Sequence, residues 1–305
     1  MDRSVPYDAT KAALLTPGRA ETTLAQSDLD SITTVCCESS RMAYKPFEAN
    51  DGVKAAMRAA LGQVDFADVQ FFTSDSAHAF AARKTGNSVR ILAFRGTNAN
   101  DPSDICTDAE ARLVPWRKDG EDHDGIRVHF GFQTALDSIL SPILQWLQDN
   151  PAVTTVFTGH SLGAALATLA ASQVGQARVI AFGSPRVGDD AFAHRMSEQS
   201  ILRYVDCCDM VSRVPPPVLG YSHLGTEVYI NRLGLLNTDA GADEEAKESD
   251  QTKARIFYLA RYAWKIGNVG FRDLADHAPV NYLSAIRYAR SQNSLGILEL
   301  SSRAG

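Results

Sequence analysis

The chain has 305 residues, of which 45% are hydrophobic and 22% charged, with a formal net charge of −6 and a pI near 5.6. This composition is typical of a globular protein with a sizeable core and argues against disorder. The acidic balance argues against a nucleic-acid-binding surface, which needs basic residues to neutralise phosphates, so no nucleic-acid partner is expected.

The N-terminal residues 1–27 contain two prolines and a glycine without hydrophobic periodicity, and they are predicted to form a surface arm. Residues 28–305 are predicted to form a single domain. The first residues lack the charged start and apolar run of a signal peptide, and no apolar stretch approaches the ~20 residues of a membrane helix. These features predict a cytoplasmic protein, with signal-independent export left open.

Two helices are predicted first, over residues 28–44 and 53–61, separated by Lys45-Pro46. Residues 69–73 are predicted to form a strand. A hairpin is predicted next, from residues 79–83 and 88–94.

A polar segment over residues 98–127 shows no helical period and is predicted to be a loop over the edge of a sheet. The clearest amphipathic helix covers residues 132–147. Strands are then expected at residues 153–157, 177–182 and 201–205, with helical sequence between them. This alternation is typical of a parallel sheet.

The most informative motif is Gly159-His160-Ser161-Leu162-Gly163, which follows an apolar β-branched strand and precedes an alanine-rich helix. A G-x-S-x-G between strand and helix is typical of the nucleophile elbow of an α/β-hydrolase, with the serine exposed at the top of the sheet. A plain glycine-rich turn is the alternative interpretation. We therefore predict an α/β-hydrolase fold, with a mostly parallel central sheet and helices on both faces.

A serine nucleophile needs a base, and in this fold the chain order is serine, acid, histidine. Downstream of Ser161 the histidines are His194, His223 and His277. His194 precedes every plausible acid. His277 lies on a loop just ahead of an apolar helix, so it is preferred over His223 as the base.

The acid is expected on a loop just past the carboxyl end of a strand. Asp206 and Asp209 both follow the strand at residues 201–205. Asp206 directly abuts the strand, where a residue more often caps a turn. Position alone gives Asp209 only a modest advantage.

Several blocks of the sequence together resemble one family, the class 3 or fungal-type triacylglycerol lipases. They lie in order over residues 66–290: Ala93-Phe94-Arg95-Gly96-Thr97, Val128-His129-Phe130-Gly131-Phe132, the elbow, Phe182-Gly183-Ser184-Pro185-Arg186-Val187-Gly188, Asp209 with Val214-Pro215-Pro216, and Asp276-His277. The blocks are specific in combination.

The resemblance implies Ser161 as nucleophile, Asp209 as acid and His277 as base, which decides between the two aspartates. It also implies an oxyanion hole made by the backbone N–H groups of Thr97 and Leu162.

The expected activity is that of a serine carboxylester hydrolase, a lipase or esterase acting on acyl esters or lipids through an acyl-enzyme. A feruloyl-type esterase, a phospholipase A1 and a non-catalytic lipase-like binding protein are the alternatives. No organic cofactor is expected, since neither a G-x-G-x-x-G nor a Walker motif occurs.

The sequence departs from the secreted fungal members in the segment after Thr97. Those members carry an amphipathic lid there, whereas residues 98–105 are polar, so interfacial activation is not expected. Residues 241–253 are predicted to be a solvated acidic loop. Residues 256–266 have an apolar helical face with basic neighbours, which favours core packing over contact with a membrane surface.

The cysteines are five in number, and their layout does not suit a disulfide framework: Cys36, Cys37, Cys106, Cys207 and Cys208. They are predicted to be buried free thiols of a reducing cytoplasm. Without C-x-x-C spacing, no metal site is expected.

Overall fold

A computed structural model describes residues 5–97, 112–237 and 243–292. Within them, ten strands form an eight-stranded sheet and a separate hairpin. The strands are β1 Phe66–Thr73, β2 His78–Lys84, β3 Val89–Phe94, β4 Leu113–Lys118, β5 Glu121–His129, β6 Thr154–His160, β7 Arg178–Phe182, β8 Ser200–Asp206, β9 Thr226–Ile230 and β10 Leu236–Asn237. The helices are α1 Lys11–Leu15, α2 Ile32–Met42, α3 Asp51–Gly62, α4 Phe130–Asp149, α5 Leu162–Ser172, α6 Asp190–Arg195, α7 Glu244–Arg261, α8 Arg272–Ala275 and α9 Pro279–Ser291.

The sheet has the strand order β1-β2-β3-β6-β7-β8-β9-β10. Strands β3, β6, β7, β8 and β9 pair in parallel, while β1, β2 and β10 extend the sheet with antiparallel pairs. The carboxyl ends of the parallel strands therefore meet at one edge, and the loops that leave that edge can share a site.

The sheet has a hydrophobic core on each face. Leu92 and Phe94 of β3 face a cluster with α4 and α5, while Ile91 and Ala93 face a second cluster with α2, α3 and α9. This alternation follows from the two-residue period of a strand. The predicted α/β-hydrolase fold, with helices on both faces of a mostly parallel sheet, is confirmed.

The predicted loop over residues 98–127 is partly wrong. Residues 98–111, which include the polar residues 98–105, lie outside the described residues. Over residues 112–127, however, β4 and β5 form a hairpin. Its turn is Asp119-Gly120, with φ of +53° and +83°. Positive φ at both positions matches the twist of a two-residue hairpin, and Asp-Gly is a sequence signal typical of such a turn.

The predicted acidic loop over residues 241–253 is also wrong where the structure describes it, because α7 begins at Glu244. Asp243 caps the helix by accepting from the Glu245 N–H, and the acidic first turn suits the positive end of the helix dipole. The core-packing interpretation of residues 256–266 is wrong as well, since Ile256 is 65% and Leu259 60% exposed.

The described part of the N-terminal arm is docked on the domain. The Tyr7 hydroxyl donates to Asp276 (2.7 Å), and Asn281 Nδ2 donates to the Asp8 carbonyl (3.0 Å). The division into an arm and one domain stays a prediction. Among the described residues, no helix combines the length and apolarity that crossing a membrane requires.

Candidate active site

Ser161 lies in the turn between β6 and α5, with φ +61° and ψ −131°. A positive φ is strained for a residue with a side chain and persists only when the surroundings hold it. The Ser161 N–H donates to the Phe182 carbonyl of β7 (3.0 Å), and the Ser161 carbonyl accepts from the Ala164 N–H (3.0 Å). The backbone of the elbow is thus fixed from both sides.

The flanking glycines are required by close packing. A Cβ at Gly159 would overlap the Gly163 carbonyl, and a Cβ at Gly163 would overlap the Phe94 carbonyl and stand 2.9 Å from the carbonyl carbon of Arg95. The elbow is therefore pressed against the end of β3, the segment that leads to Thr97.

Asp209 and His277 come together from loops 68 residues apart in the chain. His277 Nδ1 lies 2.8 Å from Asp209 Oδ2, and both side chains are buried. Because a carboxylate only accepts, Nδ1 carries the proton in this contact, which leaves Nε2 available to a second partner. Gly183 makes room for the pair, since a Cβ there would stand 2.7 Å from Asp209 Oδ2 and 3.0 Å from His277 Nδ1.

The Asp209 carboxylate accepts two further hydrogen bonds, from the Tyr282 hydroxyl to Oδ2 (2.5 Å) and from the Val211 N–H to Oδ1 (2.9 Å). Burial alone would raise the pKa of Asp209. The charge of His277 and hydrogen bonds from His277 and Tyr282 outweigh burial and hold that pKa below its ordinary value. The carboxylate is thus kept ionised.

The alternative acid and the alternative bases named in the sequence analysis do not join the Asp209–His277 pair. Asp206 is buried at the end of β8, where its N–H donates to the Tyr282 hydroxyl (3.1 Å). Burial and the cations Arg203 and Arg186 lower the pKa of His223 to about 2. His194 is exposed on α6.

The two proposed oxyanion donors stand at the same edge. Leu162 is the first residue of α5, so its N–H has no acceptor within the helix. Thr97 is exposed and ends the described segment after β3. Arg95 anchors that segment by donating to the Ala43 carbonyl (2.6 Å) and pairing with Glu48 (2.6 Å).

A buried pair that the sequence analysis missed supports the elbow from below. The Tyr44 hydroxyl lies 2.8 Å from His160 Nδ1, and His160 Nε2 lies 2.7 Å from the His277 carbonyl. Burial and the nearby His277 lower the pKa of His160 to about 3, so its ring is neutral. In that state Nε2–H donates to His277 and Nδ1 accepts from Tyr44. His160 occupies the first x of the G-x-S-x-G motif, where the motif sets no residue type. Its role therefore follows only from contacts with residues distant in the sequence.

A second buried group joins the acid and base loops. Asp276, next to His277, accepts from the Cys208 N–H (3.0 Å), next to Asp209, and pairs with Arg272 (3.0 Å). Cys207, Cys208 and Asp276 have potential metal ligands within 4.8 Å of one another. A cation there would face the Arg272 guanidinium, so the cluster fits a structural ion pair better than a metal centre.

The sheet topology and the strand–turn–helix elbow together define the class of the chain as an α/β-hydrolase fold. Residues 91–219 match the family model described as "Lipase (class 3)". This match confirms, over the matched residues, the resemblance to class 3 lipases seen in the sequence.

Three named proteins illustrate the similarity. A secreted mono- and diacylglycerol lipase 1 of Fusarium solani is 36% identical over 130 residues, covering 39% of each chain. A secreted mono- and diacylglycerol lipase A of Penicillium camembertii is 30% identical over 183 residues, covering 54% of this chain and 55% of its own. The solved lipase II of Rhizopus niveus has a TM-score of 0.52 and 25% identity, covering 67% of this chain and 80% of its own. The matches thus span about two fifths to about half the length of these two curated relatives.

The cytoplasmic location expected from the sequence is contradicted, because curated relatives are named secreted lipases. Free thiols, which the sequence analysis assigned to a reducing cytoplasm, therefore do not indicate the compartment. The described cysteines, Cys36, Cys37, Cys207 and Cys208, are free and buried. Burial raises the pKa of the Cys36 thiol to about 12, so it stays unreactive in either compartment.

Proposed function

We propose that this chain is an extracellular lipase that hydrolyses carboxylic esters of glycerol. The observation that carries the proposal is the buried Asp209–His277 pair together with the elbow at Ser161, whose neighbour His160 packs against the His277 ring (ring centroids 4.4 Å). The names of the Fusarium solani and Penicillium relatives support mono- and diacylglycerols as the substrate class.

In the proposed mechanism, the Ser161 hydroxyl attacks the ester carbonyl and gives its proton to His277 Nε2. The Thr97 and Leu162 N–H groups stabilise the oxyanion, and His277 then protonates the leaving alcohol. Water, deprotonated by His277, cleaves the acyl-enzyme and releases the carboxylic acid and Ser161. Asp209 holds the His277 ring in the required tautomer throughout.

A substrate panel tests this proposal. The purified chain is assayed with p-nitrophenyl esters from acetate to palmitate, and with mono-, di- and triacylglycerol, phosphatidylcholine and methyl ferulate. Protein inactivated by a fluorophosphonate is the control. We expect acylglycerols to be hydrolysed fastest among the natural esters.

Faster turnover of phosphatidylcholine or of methyl ferulate would replace the proposal with a phospholipase A1 or a feruloyl esterase. If no ester is hydrolysed, the proposal is wrong, and a non-catalytic binding protein is the alternative that stays.

A further inference from the structure

Residues 251–272 differ in charge from the rest of this acidic chain. They contain Lys253, Arg255, Arg261, Lys265 and Arg272 but no aspartate or glutamate, whereas the whole chain carries a net charge of −6. Arg255 and Arg272 are paired with Asp273 and Asp276. The side chains of Lys253, Arg261 and Lys265 are exposed. One short region therefore presents concentrated positive charge.

The same region also presents large apolar side chains to solvent. The exposed fractions are 65% for Ile256, 60% for Leu259, 71% for Trp264, 104% for Ile266 and 64% for Phe271. Single exposed apolar residues are common, but a group of five over sixteen positions of one segment is not. We call these five side chains, with the three exposed cations, the basic apolar surface.

The backbone beneath this surface is well held. Tyr258 is buried on the inner side of α7 and donates from its hydroxyl to the Val269 carbonyl (2.7 Å). Trp264 Nε1 donates to the Ala260 carbonyl (3.1 Å), which closes the turn after α7. The inner side thus packs against the domain, and the exposed apolar residues are not needed to fill the core.

The basic apolar surface adjoins the segment that carries His277, the proposed catalytic base. Phe271 immediately precedes α8, the short helix that leads to His277. Arg255 of α7 ties the two helices together by pairing with Asp273 (2.6 Å). A partner bound here would lie beside the His277 loop.

We propose that the basic apolar surface binds an anionic lipid surface and brings the candidate active site to its substrate. Amphipathic helices with basic residues and exposed aromatic or aliphatic side chains bind membrane interfaces by apolar burial plus attraction to anionic lipids. Trp264 suits the interfacial layer, because its ring is apolar and its N–H is polar. The inference deepens the proposed function and depends on it for its biological meaning, but binding can be measured without catalysis.

Co-sedimentation with vesicles tests the surface, using the Ser161→Ala chain so that hydrolysis cannot alter the lipid. Vesicles are phosphatidylcholine alone or phosphatidylcholine with 30 mol% phosphatidylglycerol (about one anionic lipid in three, enough to attract basic residues). We expect binding to the anionic vesicles and loss of that binding near 1 M salt, where the Debye length is about 3 Å. Trp264 is the exposed tryptophan among the three, so its emission should shift to the blue on binding.

Variants separate the charged from the apolar contribution. Lys253→Gln with Lys265→Gln should lower the partition coefficient about 30-fold, since each basic residue near such a surface contributes about fivefold. Ile266→Ser should lower it by about 10-fold or more. Val153→Ser is the matched control, because Val153 is 90% exposed and precedes β6 at the opposite edge of the sheet.

Failure of the parent chain to bind anionic vesicles would overturn the proposal, as would equal binding of parent and Ile266→Ser. Sedimentation velocity tests whether a second copy of the chain binds the surface instead. A dimer that Ile266→Ser abolishes would assign the surface to that second copy. Vesicle binding by a chain with no esterase activity would refute the proposed function and leave the surface standing. Esterase activity without vesicle binding would refute the lipid-binding surface and leave the proposed function standing.

Discussion

Ser161 is placed by backbone packing within one strand–turn–helix unit, whereas Asp209 and His277 are placed by side-chain hydrogen bonds between loops 68 residues apart. The half with Ser161, the proposed nucleophile, depends on glycines that let α5 approach β3, and we call it the nucleophile half. The half with Asp209 and His277, the proposed acid and base, depends on Tyr282, Asp276 and Arg272, and we call it the acid–base half. The first half should therefore be sensitive to added volume, and the second to lost polar contacts.

The largest expected effect is on the nucleophile half. Ser161→Ala should lower kcat for a p-nitrophenyl ester by about a millionfold, as loss of the serine does in other triad enzymes. The substitution adds no volume, so the thermal unfolding midpoint should match that of the parent chain. Steady-state kinetics and calorimetry on one preparation check both statements. Substantial activity in the folded variant would mean that another residue is the nucleophile.

The acid provides the next largest effect. Asp209→Asn should lower kcat by about 10⁴-fold, because an amide stabilises the wrong tautomer of His277. Asp206→Asn, at the end of the strand just before that loop, is the matched control and should cost far less activity. The reverse order of the two variants would assign the acid to Asp206.

The buried Arg272–Asp276 ion pair next to His277 should govern stability more than chemistry. Asp276→Ala should lower the free energy of unfolding by about 3–5 kcal/mol, because it leaves the buried Arg272 charge without its partner. Asp273→Ala removes a more exposed pair with Arg255 and should cost about 1 kcal/mol or less. Urea unfolding of both variants measures the difference. Equal losses would show that burial does not distinguish the two pairs.

The smallest effect concerns pH. Since burial lowers the pKa of His160 to about 3, the unfolded chain binds a proton there that the folded chain rejects. The stabilisation from the neutral ring is therefore complete above about pH 6.5 and is lost as the pH falls toward 3. His160→Gln should reduce the slope of unfolding free energy between pH 6 and 4 by up to about 1.4 kcal/mol per pH unit. Parallel slopes for parent and variant would contradict a neutral buried His160.

The sequence predicted best what is local. The strand, elbow and helix around Ser161, and the alternation of the parallel sheet, follow from short-range patterns. The β4–β5 hairpin is signalled only by an Asp-Gly turn, and the start of α7 only by an acidic first turn. Both signals lie among many charged residues, from which short-range patterns do not separate them. The Tyr44–His160 contact spans 116 residues, and no short-range pattern in the sequence encodes it.

The exposure of Ile256, Leu259 and Trp264 could not be predicted for a related reason. An apolar helical face indicates that a surface is covered, but not whether the cover is the core or a partner. Tyr258 fills the inner side of α7, and that contact depends on Val269 beyond the end of the helix. The side chains on the outer face are therefore left exposed.

The most direct test of the central claim is covalent labelling of the nucleophile. The parent chain is treated with a fluorophosphonate, digested and mapped by fragmentation mass spectrometry, with Ser161→Ala and Asp209→Asn treated in parallel. We expect one adduct on Ser161 of the parent chain, none on Ser161→Ala, and much slower labelling of Asp209→Asn. An adduct on another serine, or equal labelling rates for the parent chain and Asp209→Asn, would contradict a nucleophile at Ser161 activated through His277 and Asp209.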